Sequence, residues 1–167
     1  MATIMFKGSP VHTCGTLPAT GSKAIDFNLT GAGLADMSLT SFKGKRIVMN
    51  IFPSIDTGVC AMSVRRFNKE VERMANTVVL CISADLPFAA SRFCAAEGLT
   101  NVVTLSELRP PRHFGENYGL RIIDGPMAGL LSRAVVVLDE NGTVIYTEQV
   151  PEITQEPMYE PVVELLK

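Results

Sequence analysis

Cys60 is the residue whose position most favours chemistry, because it lies in the stretch NIFPSIDTGVCAMS between an apolar run and a helical pattern. Pro53 has no backbone N–H and ends the strand-like run. The helical pattern begins around Thr57 or Gly58, so Cys60 falls in the first helical turn. Free backbone N–H groups and the helix dipole favour an anion there, and a thiolate is such an anion. The spacing therefore predicts a nucleophilic thiolate.

The surroundings of this thiol follow from the same spacing. Cys60 precedes Val64 by four residues, which places it on the apolar, core-facing side of the helix. We therefore expect the sulfur at the floor of a pocket, with Pro53 shielding it from water. The Thr57 hydroxyl can cap the helix, reach toward the sulfur, or reach toward an oxygen bound beside it.

The remaining cysteines and histidines narrow the possible chemistry. The cysteines are Cys14, Cys60, Cys81 and Cys94, and no two of them form C-x-x-C. This spacing excludes a zinc ribbon and a thioredoxin-type dithiol. Neither His12 nor His113 lies in a motif that would pair it with Cys60, which argues against a Cys–His hydrolase. His12 and Cys14 have no second pair to complete a metal site, so we expect neither metal nor cofactor.

Composition limits the class of protein. The chain has 167 residues and a net charge of -2, which suits one domain spanning 1–167. No basic block is present, which argues against nucleic acid or an anionic membrane as a partner. No apolar run is long enough to span a bilayer, and the N-terminus has no signal-peptide pattern. We expect a soluble cytoplasmic protein without a structural disulfide framework.

The order of predicted elements indicates the fold class. We expect an N-terminal hairpin of Thr3–Gly8 and Val11–Leu17 around a GSP turn, and a strand over Ala24–Thr30. Buried strands then alternate with helices, and a hairpin around Asn141-Gly142 and a last helix follow. The predicted central strands are Arg46–Phe52, Thr77–Ser83 and Asn101–Ser106. This order predicts an α/β protein of thioredoxin-like fold, with a central mixed β-sheet flanked by helices and an N-terminal β-hairpin.

The cysteine motif also carries a family resemblance. Pro53, Thr57 and Cys60 match the P-x-x-x-T-x-x-C motif of peroxiredoxins. The chain resembles the bacterial thiol peroxidases, an atypical two-cysteine subfamily, essentially from end to end. The segments that carry this resemblance are NIFPSIDTGVC, VVLCISADLPFA, SRFCAAEG, SRAVVVLDENG and EITQEP.

The resemblance implies a role for each matched residue. Cys60 matches the peroxidatic cysteine, which attacks a hydroperoxide and becomes a sulfenic acid. Arg133 matches the arginine that stabilises the thiolate and polarises the O–O bond, and Pro53 and Thr57 match the other motif residues. Cys94 matches the resolving cysteine, whose intramolecular disulfide with Cys60 is reduced by thioredoxin. The resemblance further implies a homodimer.

Other interpretations of these residues remain open on sequence alone. Cys81 lies in the middle of an apolar strand and is expected to be a buried, inert thiol. Cys14 is structural or incidental, Cys94 could serve packing, and Arg133 could be an ordinary strand-end arginine. The whole chain could instead be a thiol–disulfide oxidoreductase or a non-enzymatic partner-binding module. Because a disulfide needs Cα atoms within roughly 7 Å, we expect the Cys60 turn and part of the Cys94 helix to unravel during catalysis.

Overall fold

A seven-stranded mixed β-sheet forms the centre of the computed structural model, which describes residues 1–167. Its strands are β3 (Leu29–Thr30), β4 (Asp36–Met37), β5 (Arg46–Ile51), β6 (Thr77–Ser83), β7 (Val102–Ser106), β8 (Ala134–Leu138) and β9 (Val144–Gln149). They lie in the order β4-β3-β7-β6-β5-β8-β9. Strands β5, β6 and β7 are parallel, whereas β8 is antiparallel to β5 and β9 is antiparallel to β8. β1 (Thr3–Phe6) and β2 (Ser9–His12) form a separate hairpin.

Helices cover both faces of this sheet. The helices are α1 (Gly58–Glu70), α2 (Pro87–Glu97), α3 (His113–Asn117) and α4 (Glu160–Leu166). Side chains alternate along the central strands, so Val48 packs in one apolar cluster and Met49 in the other. The cluster that contains Val48 includes residues of α1 and α4, and the cluster that contains Met49 includes Phe114 of α3. The structure thus has the predicted mixed sheet flanked by helices.

The antiparallel pairing of β5 with β8 determines which residues meet at the end of the sheet. Ile51 at the end of β5 pairs with Ala134 at the start of β8. The chain leaving β5 toward Cys60 therefore passes beside Arg133, which directly precedes β8. The β5–β8 register therefore brings the segment before Cys60 close to Arg133, although the two are far apart in the sequence.

Most predicted elements are confirmed. Helices begin at Gly58 and Pro87 as predicted, and Gly98 ends α2 in the left-handed conformation, with φ of 68°. The strand predicted over Ala24–Thr30 is wrong except for Leu29–Thr30. Its backbone groups bond outside a strand ladder: Ala24 N–H donates to the Gly142 carbonyl, the Ile25 carbonyl accepts from the Tyr118 hydroxyl, and Phe27 N–H donates to the Asp26 carboxylate.

The turns of both hairpins differ from the prediction. In the first, Phe6 pairs with Ser9, so the turn is Lys7-Gly8 and not GSP, and the second strand ends at His12. Both turn residues have positive φ, as a two-residue hairpin of this type requires. In the second, Leu138 pairs with Val144, so the loop has five residues rather than two. The Asp139 carboxylate organises this loop by accepting hydrogen bonds from two backbone N–H groups.

None of the helices combines the length and the apolar character that a membrane-spanning helix requires.

Candidate active site

Cys60 is the third residue of α1 and its side chain is completely buried. The preceding Thr57 has extended backbone geometry, and its carbonyl accepts the first helical hydrogen bond, from Ala61. The amide groups of the first helical turn have no partner within the helix. Cys60 therefore occupies the predicted position at the helix N-terminus, on the core-facing side.

Arg133 contacts the thiol directly. Its Nη2 donates to Cys60 Sγ at 3.2 Å, and its Nε donates to the Ile153 carbonyl at 2.8 Å. The side chain is only 2% exposed, so water screens its charge little. The guanidinium thus holds a positive charge and an N–H donor at hydrogen-bonding distance from the Cys60 sulfur.

The third guanidinium nitrogen faces a different environment. Arg133 Nη1 is buried and has no hydrogen-bond partner in the protein. Arg133 also lines a pocket of about 320 Å³, together with Pro53, Thr57 and Val59. A buried N–H without a partner costs about 1–3 kcal/mol, so such a donor calls for an acceptor. The pocket beside Cys60 therefore offers one strong donor to the oxygen of a bound molecule.

Pro53 and Thr57 lie on the wall of this pocket. Pro53 is buried two residues after the end of β5, between the strand and the start of α1. Of the three roles considered for the Thr57 hydroxyl, capping of α1 is wrong, because the hydroxyl donates to the Ser54 carbonyl at 3.0 Å. That bond closes the turn before the helix, and Thr57 lines the pocket.

Several residues that support Arg133 were missed by the sequence analysis. The Ile153 carbonyl, which orients the guanidinium, lies in a segment tied to β1. Met5 N–H donates to the Pro151 carbonyl, and Ile153 N–H donates to the Met5 carbonyl. The hairpin also contributes Phe6 and Lys7 to the pocket. The only sequence signal was the family-like segment EITQEP, which contains Ile153 but does not indicate what its backbone does.

Cys94 lies on α2, which is adjacent to α1. Arg65 of α1 makes two hydrogen bonds to Glu97 of α2, at 2.9 and 3.0 Å. The Cys94 side chain is partly buried, and burial raises the pKa of its thiol. All four cysteines are free, so the structure describes the reduced protein. Cys94 thus lies on a helix that contacts α1, and its thiol is not activated in this conformation.

The other two cysteines lie in different surroundings. Cys81 is buried in β6, and this burial raises the pKa of its thiol to about 12. It is therefore protonated, and poorly nucleophilic, at neutral pH. Cys14 is exposed, and its thiol lies 3.6 Å from the Gly115 carbonyl. Neither thiol has a cation comparable to Arg133 beside it.

A larger depression lies beside β3 and β4, at one edge of the sheet. It has a volume of about 460 Å³ and is lined by polar side chains, among them Asp26, Arg109 and His113. Arg109 in its lining is already paired with Asp36 at 2.8 Å. The smaller pocket is instead lined by Arg133, whose buried guanidinium contacts the Cys60 thiol and carries an unpartnered donor.

Comparisons with known proteins show the family and the fold to which this chain belongs. Residues 19–163 match the Redoxin family. A thiol peroxidase of Mycobacterium tuberculosis (strain CDC 1551 / Oshkosh) is 54% identical over 160 residues, 96% of this chain and 95% of the relative. A peroxiredoxin-like protein from Aquifex aeolicus superposes with a TM-score of 0.91 at 35% identity, covering 99% of this chain and 95% of that one. A thiol peroxidase from Chromobacterium violaceum has the same fold, with a TM-score of 0.90 at 22% identity, covering 98% and 94% of the two chains.

The fold, the site and these matches define the class of protein: the chain belongs to the redoxin family, whose fold is thioredoxin-like. Within that family its relatives identify it as a member of the thiol peroxidases, which are peroxiredoxin enzymes. The resemblance seen in the sequence and the predicted fold class are both confirmed.

Proposed function

We propose that this protein is a thiol-dependent peroxidase that reduces hydroperoxides through Cys60, with Cys94 as the resolving cysteine and thioredoxin as the reductant. Membership of the thiol peroxidases supports the activity. The observation that carries the proposal is the position of Arg133. One of its nitrogens donates to Cys60 Sγ, while another is buried at the pocket without a protein acceptor.

The first chemical step uses this geometry. The Cys60 thiolate attacks the terminal oxygen of the hydroperoxide, an S–O bond forms and the O–O bond breaks. The alkoxide that leaves takes up a proton to become an alcohol, or water if the substrate is hydrogen peroxide. Arg133 Nη2 donates to the sulfur. Nη1 has no protein acceptor and can donate to a peroxide oxygen as negative charge develops on that oxygen. The apolar side chains of Phe6, Met127 and Ile153 line the pocket and suit an alkyl hydroperoxide.

The second step, disulfide formation between Cys60 and Cys94, requires a conformational change. Cys60 is completely buried, and Cys94 is partly buried in the next helix. We therefore propose that the first turn of α1 and part of α2 unravel. The Cys94 sulfur then attacks the sulfenic sulfur, the S–S bond forms and hydroxide leaves as water. Exposure of Cys94 in this opened form removes the burial that raises its pKa.

Replacing Cys94 with serine is expected to separate the two steps. The variant should reduce about one equivalent of peroxide as fast as the wild type, because the Arg133–Cys60 pair is untouched. Turnover with thioredoxin, thioredoxin reductase and NADPH should then stall. Stopped-flow peroxide consumption measures the first phase, and NADPH oxidation measures the second.

Cys81→Ser is the matched control, since that thiol is also near α2 but has no proposed role. It should turn over like the wild type if it folds. Undiminished thioredoxin-dependent turnover in Cys94→Ser would remove Cys94 from the proposal, without affecting the role of Cys60.

The proposal includes three further properties of the protein. We propose that residues 1–167 form one domain, which is supported by the bonds between β1 and the segment around Ile153. Four free thiols are typical of a reducing compartment and support a cytoplasmic location. The homodimer rests on the family resemblance.

A further inference from the structure

The Asp85 carboxylate holds the loop that leads from β5 to Cys60. Its Oδ1 accepts a hydrogen bond from the Ser54 hydroxyl at 2.7 Å, and its Oδ2 accepts one from the Ile55 N–H at 2.7 Å. Ser54 and Ile55 lie in the chain between Pro53 and Thr57, both of which line the pocket. These contacts are not local in sequence, because Asp85 lies between β6 and α2.

Asp85 is itself anchored to the rigid end of the sheet. The Ser83 hydroxyl donates to Asp85 Oδ2 at 2.6 Å, and the Ser106 hydroxyl donates to the Asp85 backbone carbonyl at 2.5 Å. Ser83 and Ser106 are register partners at the ends of β6 and β7. Asp85 is therefore linked to the end of β6 through its carboxylate and to the end of β7 through its backbone carbonyl.

Asp85 is also attached to the second segment that must move. It precedes Pro87, the first residue of α2, by two positions, and α2 carries Cys94. The active-site loop and α2 also face each other across an exposed pair, with Arg92 Nη2 3.9 Å from Asp56 Oδ1. Asp85 therefore lies at the junction of the two segments that form the disulfide.

We propose that Asp85 is a positioning residue that keeps the Pro53–Thr57 loop in the peroxide-reducing arrangement. Release of Ser54 and Ile55 from its carboxylate lets the Cys60 turn leave the pocket. The inference rests on the proposed function. It adds that Asp85 sets the equilibrium between the folded Cys60 turn, which reduces peroxide, and the unravelled turn, which forms the disulfide. Hydrogen bonds to a charged acceptor are about twice as strong as neutral ones, which suits a contact that must hold and then release.

This role predicts opposite effects on the two chemical steps. Asp85→Ala should loosen the loop, so sulfenic acid formation slows by about tenfold, the effect of losing hydrogen bonds to a charged group. Disulfide formation should accelerate, because the opened form is more populated. Sulfinic acid, which forms when a second peroxide reacts before Cys94 does, should fall as a fraction of Cys60. Asp85→Asn retains the shape and one acceptor and should give intermediate values.

Two measurements test the proposal. Hydrogen–deuterium exchange on the reduced proteins, without peroxide, should show faster exchange in 53–60 and 86–94 for Asp85→Ala. Rapid-quench mass spectrometry should then give the sulfenic, disulfide and sulfinic forms of Cys60 over time.

Asp139→Ala is the matched control, because that carboxylate also accepts backbone N–H groups but lies in the β8–β9 loop. Ser54→Ala removes one of the two loop bonds without removing the charge, and it serves if Asp85→Ala does not fold.

The outcomes separate this inference from the proposed function. Unchanged exchange in 53–60, or parallel slowing of both chemical steps, would overturn the role of Asp85. If the wild type reduced no peroxide, the proposed function would fail, and exchange alone would still decide whether Asp85 holds the loop.

Discussion

Replacing Cys60 with serine is expected to lower thiol-dependent peroxide consumption on the order of a thousandfold or more, to the level without enzyme. A hydroxyl is not ionised at neutral pH, so the variant has no nucleophile at the end of the Arg133 guanidinium. The assay is NADPH oxidation with thioredoxin, thioredoxin reductase and an alkyl hydroperoxide. Because serine is smaller than cysteine and the site is fully buried, we expect the fold to be retained with a modest loss of stability.

Cys14→Ser is the matched control for this substitution, since Cys14 is exposed and has no cation beside it. It should keep full activity. Peroxide reduction by folded Cys60→Ser at the wild-type rate would contradict the assignment of Cys60 and leave the site without a function.

Replacing Arg133 with lysine is expected to lower the rate constant for the first step by about two to three orders of magnitude, as removal of a preorganised donor does elsewhere. Lysine keeps the positive charge but has one nitrogen. Its three N–H donors share that one atom, whereas arginine uses separate nitrogens for the Ile153 carbonyl and Cys60 Sγ and keeps a third for the pocket. The measurement is the second-order rate constant of Cys60 oxidation, followed by competition with a second peroxidase of known rate.

Arg109→Lys provides the comparison, because Arg109 makes an exposed ion pair with Asp36 away from the thiol. We expect little change in its rate. Melting temperature should be recorded for both variants, since Arg133 is buried and its replacement also alters packing. A folded Arg133→Lys protein with wild-type oxidation kinetics would contradict the proposed use of all three nitrogens.

The local part of the site could be predicted from the sequence, because it depends on neighbouring residues. A nearly continuous apolar run predicts a buried strand, and the spacing of Val64 and Phe67 predicts an amphipathic helix. The junction between these two patterns placed Cys60 in the first helical turn. The fold class followed from the order of elements in the same way.

The non-local part could not be derived from spacing. Arg133 is 73 residues from Cys60, and its proximity depends on the antiparallel register of β5 and β8. Only the family resemblance pointed to it. The Ile153 contribution is a backbone carbonyl, which any residue type supplies, and Asp85 has no pattern that distinguishes it from a surface carboxylate. The Thr57 error has a similar cause, because a hydroxyl has several acceptors within reach and sequence does not choose among them.

The most direct test of the central claim is to locate the oxidised sulfur. Reduced Cys94→Ser protein is treated with one equivalent of hydroperoxide, trapped with dimedone and digested for mass spectrometry. The proposed mechanism predicts a dimedone adduct on Cys60 and none on Cys14 or Cys81. An adduct mainly on Cys14 or Cys81, or peroxide consumption with no adduct on Cys60, would contradict it.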